Sequence, residues 1–295
     1  MRRLVLLVPL FACASAPHTW SGRTLCEAAI DRNAPSVEPA TWFALLVRGY
    51  DRRTGAVTTP AVDCTGTQVR WDAPAALCID GAVTRTLLPA RPLDARDLVV
   101  TSYGENIQLV WVMTARYAVG DALGPVAIVE RKGGDLVVRA AGVLRAYRDR
   151  VKLRLEKVGR TEILVAEGER CARSDASTCQ RGARLVPLHG DRFEPEAFVS
   201  DAGACVSPAW VDLSREESER LDFGRRRFQL AASLAFEPSL IRVDEEVVIH
   251  DSDPSKPATP PRLFRRAHAD RTITVSDGKM VASGQSLWMK AVNAE

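Results

Sequence analysis

The sequence predicts a mainly β fold: antiparallel hairpins or a meander building a sandwich, barrel or propeller-like body, with at most one or two short helices, stapled by disulfides. Three observations carry this. Apolar residues alternate with polar ones at period two in several runs, the pattern of half-buried strands. Glycine-bearing turns separate those runs at short, regular intervals. The βαβ alternation of a doubly wound parallel sheet does not occur.

The elements follow in order. Residues 13–40 are rich in Ala, Ser, Pro and Asn and suit a tether. Trp42 to Val47 is an apolar run expected as the first strand of a body spanning 41–295, with a helix over Ala40–Val47 ranked below it. Leu98–Tyr103 and Ile107–Tyr117 come next, the latter with Ile107, Leu109, Trp111 and Met113 on one face. Val126–Arg131 and Leu136–Ala140 flank Lys132-Gly133-Gly134-Asp135, a hairpin turn. Val151, Leu153 and Leu155 alternate with Lys152, Arg154 and Glu156, and Glu162–Glu167 should pair back across Gly159-Arg160. Ser214-Arg215-Glu216-Glu217 matches a capping box and predicts a two-turn helix over 214–222. Phe228 to Phe236 and Ile241 to Ile249 form a hairpin around Glu237-Pro238-Ser239. The proline-rich Asp251–Pro261 suits an exposed crossover between sheets, and Asp277-Gly278 is a two-residue turn between Thr272–Ser276 and Met280–Ser283. A cluster of Cys, Gly and Pro within 170–213 marks a candidate boundary between two β-domains.

The amino terminus points to export. Arg2 and Arg3 precede Leu4 to Ala12 (LVLLVPLFA), a nine-residue apolar run half the length of a membrane span. Residues 1–12 are therefore expected to be a signal peptide. Ala14-Ser15-Ala16 fits the pattern cut by the general signal peptidase. Alternatively, Leu10-Phe11-Ala12-Cys13 resembles the lipobox of bacterial lipoproteins. That resemblance spans only the first thirteen residues. It implies a lipidated Cys13, a membrane-surface partner held through that anchor, and residence in the outer membrane or periplasm; the other site implies a soluble periplasmic or secreted protein. In signal, composition and β-hairpins, the chain as a whole resembles the uncharacterised arginine-rich lipoproteins of high-GC Gram-negative bacteria, a likeness that brings no activity with it.

Seven cysteines become six once Cys13 is set aside, an even number suited to an oxidising compartment. Cys64 with Cys78 and Cys171 with Cys179 bracket turn-forming residues and are the expected local pairs, which leaves Cys26 for Cys205.

Chemistry is sparse. A net charge of +3 on 77 charged residues provides no field for nucleic acid, although 34 of the 40 basic residues are arginine. The four histidines show no metal-ligand spacing. His250, Asp251 and Asp253 at a strand end are the best local candidates for a divalent ion, though Asp and Ser also simply end strands. Ser276-Asp277-Gly278-Lys279 has the spacing of the S-x-x-K nucleophile motif, but across a turn and not on a helix face. No nucleotide-binding glycine loop occurs, and neither a cofactor nor a catalytic residue is expected. Glu245 falls on the otherwise apolar face of its strand, where it is either a functional carboxylate or an edge charge that blocks aggregation. Arg225-Arg226-Arg227 could meet lipid headgroups or solvate a strand end. Trp71 and Trp288 are the tryptophans worth testing as stacking platforms. The expectation is a non-enzymatic binding or structural module for an envelope protein or small ligand. The alternative is an exported hydrolase whose site assembles His250, Asp251 and Glu245 from distant loops.

Overall fold

A computed structural model describes residues 22–31, 36–71, 86–172, 175–222, 224–253, 255–256, 259–276 and 278–292. Residues 1–12, Cys13 and Cys78 lie outside the described residues.

In chain order, β1 (Cys26–Ala29) and helix α1 (Pro39–Leu46) are followed by the small pair β2 (Val47–Arg48) and β3 (Val62–Asp63). Then come β4 (Leu98–Ser102), β5 (Ile107–Val112), β6 (Ala115–Arg116), β7 (Asp121–Lys132), β8 (Asp135–Tyr147), β9 (Asp149–Val158), β10 (Thr161–Ala172) and β11 (Asp175–His189). The short β12 (Arg192–Phe193), β13 (Ala197–Val199) and β14 (Cys205–Pro208) precede β15 (Trp210–Leu221), β16 (Gly224–Phe236), β17 (Leu240–Ser252), β18 (Arg262–Ser276), β19 (Lys279–Ala282) and helix α2 (Leu287–Val292).

The mainly β expectation holds. One sheet runs β4-β5-β7-β8-β1. A second runs β9-β10-β11-β15-β16-β17-β18-β19-β13-β14 without closing into a barrel. Strand β12 joins the two, pairing antiparallel with β11 and parallel with β8. The turns lie where the glycines require. Lys132 pairs with Asp135 around Gly133, whose φ of +63° favours glycine, and Val158 pairs with Thr161 across Gly159. Alternation on β9 buries Leu153 and Leu155 and leaves Lys152 outside.

Successive strands stack in layers. Leu109, Trp111 and Ile128 of the first sheet meet Leu153, Leu164 and Val186 of the second in one apolar core. Ile163 and Val165 point from the other side of β10 into a second core with Phe198, Val211, Val243 and Ile273. Helix α1 covers the outer face of the first sheet, packing Trp42, Phe43 and Leu46 on Val110, Val112 and Val129.

Four expectations are corrected. Trp42–Val47 is not a strand, because Pro39 presets the first helical turn after an extended Glu38. The run is apolar on every side, and periodicity alone cannot separate a buried strand from a buried helix. The 214–222 segment is not a helix but the outer part of β15. A continuous ladder from Ser214↔Ala231 to Leu221↔Gly224 outweighs a capping box, and side chains on the same strand face pair instead, as in Arg215 with Glu217. Asp251–Pro261 joins adjacent strands of one sheet, since Asp251 pairs with Arg262 across it. Cys26 is bonded to Cys64, not to Cys205, and Cys64 is therefore not bonded to Cys78. Helix α1 carries the chain back over the first sheet and brings β3 beside β1, so the local rule fails there. Cys171–Cys179 forms as expected at the register-paired end of β10 and β11. Cys205 is also disulfide-bonded, to a partner outside the described residues.

Candidate functional site

Strands β11 and β15 share only a short ladder, Arg181–Arg184 against Ser214–Trp210. Beyond it β11 continues beside β10, while β15 continues beside β16. The sheet forks there, and side chains from both branches line a cavity of about 600 Å³, within the range of small-ligand sites. Residues 285–289, which lead into and begin α2, close one side.

Gly182 sits at the fork. A Cβ on it would lie 2.0 Å from the Trp210 indole, so only glycine lets that ring lie across β11. Trp210 meets Tyr147 edge to face at 4.5 Å and donates its Nε1 proton to Asp212 at 2.8 Å. The Arg184 guanidinium stands 5.1 Å from the Trp210 ring and 5.0 Å from that of Trp71. Its Nε donates to the Arg145 carbonyl at 3.1 Å.

Charge is buried around this space. Arg145 faces Asp121 at 3.3 Å, both less than a tenth exposed. The Glu245 side chain is 2% exposed and that of Arg271 7%. Arg271 Nε donates to Glu245 Oε1 at 3.1 Å, and the Leu287 amide donates to Oε2 at 2.7 Å. Glu245 therefore ties the start of α2 to the sheet. Arg215 donates to Asp212 at 3.2 Å and to Glu217 at 2.9 Å, and lies 4.9 Å from the Trp288 ring. Burial works to lower the Arg215 pKa, but its hydrogen bonds to Glu217 and Asp212 and their charges outweigh it and raise the value. Arg170 donates to the Gln180 side-chain oxygen, and its Cζ stands 5.2 Å from the centre of the Tyr147 ring. Burial pushes the Tyr147 phenol up to about 12, partly offset by Arg170, so Tyr147 stays a neutral hydrogen-bonding group at ordinary pH.

The sequence-derived candidates are dispersed. Glu245 does face inward, on a central strand between β16 and β18 and not on an edge. His250 lines a shallow groove with Gln229, Val248 and Arg266. Asp251, one residue on, pairs with Arg226 at 2.8 Å, which draws its pKa down; Asp253 accepts from Ser255, which does the same. His250, Asp251 and Asp253 therefore form no ligand group, and His250 and Asp251 do not converge with Glu245. Among the described residues, Asp244, His268 and Asp270 do approach within 4.8 Å on the exposed side of β17 and β18, and Glu169 lies near the bridged Cys171 and Cys179. Trp288 is buried in the cavity wall and Trp111 in the first core, while the partly buried Trp71 lies against Arg184. Of the arginine run, Arg226 is paired with Asp251 and Arg227 with Glu216.

Sequence reasoning missed Arg184, Trp210 and Arg271. Arg271 was detectable in principle, because it shares strand parity with the buried Ile273.

No described helix is long and apolar enough to cross a membrane. No protein-family model matches the chain, and no curated protein or solved structure is significantly similar to it.

Proposed function

We propose that this protein is an exported, lipid-anchored envelope protein that binds a small ligand in the cavity at the fork of its sheet. The carrying observation is that cavity: buried, mutually paired charges and aromatic rings surround a space large enough for a small molecule. Buried ion pairs commonly hold a fold no better than well-packed apolar residues do. Their retention around a hollow is therefore better explained by a ligand than by stability. The bridged cysteines fit an oxidising compartment, and the charged-then-apolar start with Cys13 supports export and anchoring.

Two measurements test the two halves. The intact, non-reduced mass of protein from a membrane fraction should begin at Cys13 with added acyl mass; a soluble species beginning at Pro17 would remove the anchor. Native mass spectrometry after incubation with a small-molecule envelope extract should show a one-to-one adduct, lost when Trp210 is replaced by Ala. The absence of any adduct, or one that survives Trp210→Ala, would count against the cavity as the site.

A further inference from the structure

We infer that the cavity selects a small organic anion with an apolar body, whose acidic group is held by Arg170. This deepens the binding reading above and rests on it.

The charge arrangement disfavours a cationic ligand. Three carboxylates line the cavity, and each already faces an arginine: Asp121 has Arg145, Asp212 has Arg215, and Glu245 has Arg271. The second oxygens of Asp212 and Glu245 are also engaged, by the Trp210 indole and the Leu287 amide. A ligand ammonium would have to compete with the arginine already facing each carboxylate, and displacing the buried Arg145 or Arg271 would leave it unpaired at a large cost.

Arg170 differs from Arg145, Arg215 and Arg271, each of which faces a carboxylate of the cavity. Its described hydrogen bond goes to the amide oxygen of Gln180, a neutral acceptor, and its Cζ lies 5.2 Å from the centre of the Tyr147 ring. A guanidinium carries five donors in a planar fork, matched to two oxygens of a carboxylate, sulfonate or phosphate. Gln180 uses few of them. The Gln180 bond and the Tyr147 ring hold the guanidinium in advance, so an incoming anion pays little to position it. Half-burial strengthens the attraction relative to an arginine in open solvent.

The remaining wall sets the body of the ligand. Val206 and Pro208 of β14, Leu230 of β16, and Trp288 and Met289 of α2 supply apolar lining. An anion with a ring or a medium hydrocarbon chain would satisfy Arg170 and this lining at once.

Two fluorescent probes of matched shape test this on the full chain: 8-anilino-1-naphthalenesulfonate, an anion, and N-phenyl-1-naphthylamine, which is neutral. The anion should bind at one site at least tenfold more tightly. Arg170→Gln should bring that ratio close to one, Arg170→Lys should retain part of it, and Arg265→Gln, on the exposed start of β18, should leave it unchanged. Displacement by 1-naphthoate or by decanoate then distinguishes a ring-bodied from a chain-bodied anion, and decylamine should displace nothing. Equal affinity for the two probes, a preference that survives Arg170→Gln, or displacement by decylamine overturns the anion inference. In each of these cases one-site binding would leave the cavity reading standing, whereas failure of both probes to bind would sink that reading as well. The wild-type ratio and the decylamine arm need no variant, so the inference stays testable if Arg170→Gln does not fold.

Discussion

Strand β10 and the cavity wall are both buried, yet they are built on opposite principles. Ile163, Leu164, Val165 and Ala166 are inaccessible to solvent, and alternate residues enter two different apolar cores. Across the fork, the equally buried Glu245 and Arg271 face each other beside an open space. The first arrangement gains from every ångström of contact, because apolar burial and close packing both favour it. The second desolvates two ions and recovers that cost only through their pairing. Hydrocarbon layers hold this molecule together, and ion pairs shape its cavity.

Truncation of the layered strand should give the largest effect. Leu164→Ala removes a fully buried side chain between the sheets and should cost about 4 kcal/mol in denaturant unfolding, through lost transfer energy and a residual cavity. A cost below about 1 kcal/mol would mean that the two sheets are not packed as one body. Next comes Arg271→Met, which strands the buried Glu245 carboxylate and should cost about 3 kcal/mol. The double variant Glu245→Leu with Arg271→Met should recover most of that loss, since no charge is left unpaired. Recovery would place the value of the pair in shaping the cavity. A double variant no better than the single would instead make the pair a stabilising element and erase the contrast. Smaller again is Arg154→Gln on β9. Its pairs with Glu156 and Glu167 are partly open to water, and the change should cost less than about 1 kcal/mol.

The layered half was the more legible in the sequence, for a physical reason. Its hairpins close over two to four residues, so Gly133, Gly159 and the Glu237-Pro238-Ser239 turn announce them locally. The inward parity of Glu245 was legible too, because strand periodicity is itself local. What escaped was everything that depends on distant segments meeting. The fork pairs Arg181 with Ser214, and the Arg271 that answers Glu245 lies 26 residues away on a different strand. No spacing rule encodes either. The Cys26–Cys64 bridge escaped likewise, since it depends on α1 turning the chain back. The capping box at Ser214 misled in the opposite direction: a local helix signal there is overruled by a ladder to β16. Sites assembled from such non-local pairings are the least visible part of a β protein.

The smallest effect tests the same contrast by pH. Glu196 is a partly buried carboxylate whose pKa is raised, first by burial and then by Glu194, against the opposing pull of His189 at 3.9 Å and of Lys279. With the folded value above the unfolded one, the neutral acid is the form that the fold prefers. Its contribution is complete below the unfolded carboxylate pKa and is lost as pH rises through the raised folded value. Glu196→Gln keeps the shape of the neutral acid and cannot ionise. Thermal unfolding should therefore show parent and variant alike near pH 4, with the variant gaining as pH increases through the raised value of Glu196. A variant less stable than the parent at pH 7 would show that the His189 pairing outweighs desolvation. Partly buried charge would then stabilise this fold outside the cavity, and the division between hydrocarbon layers and ion-paired cavity would need redrawing.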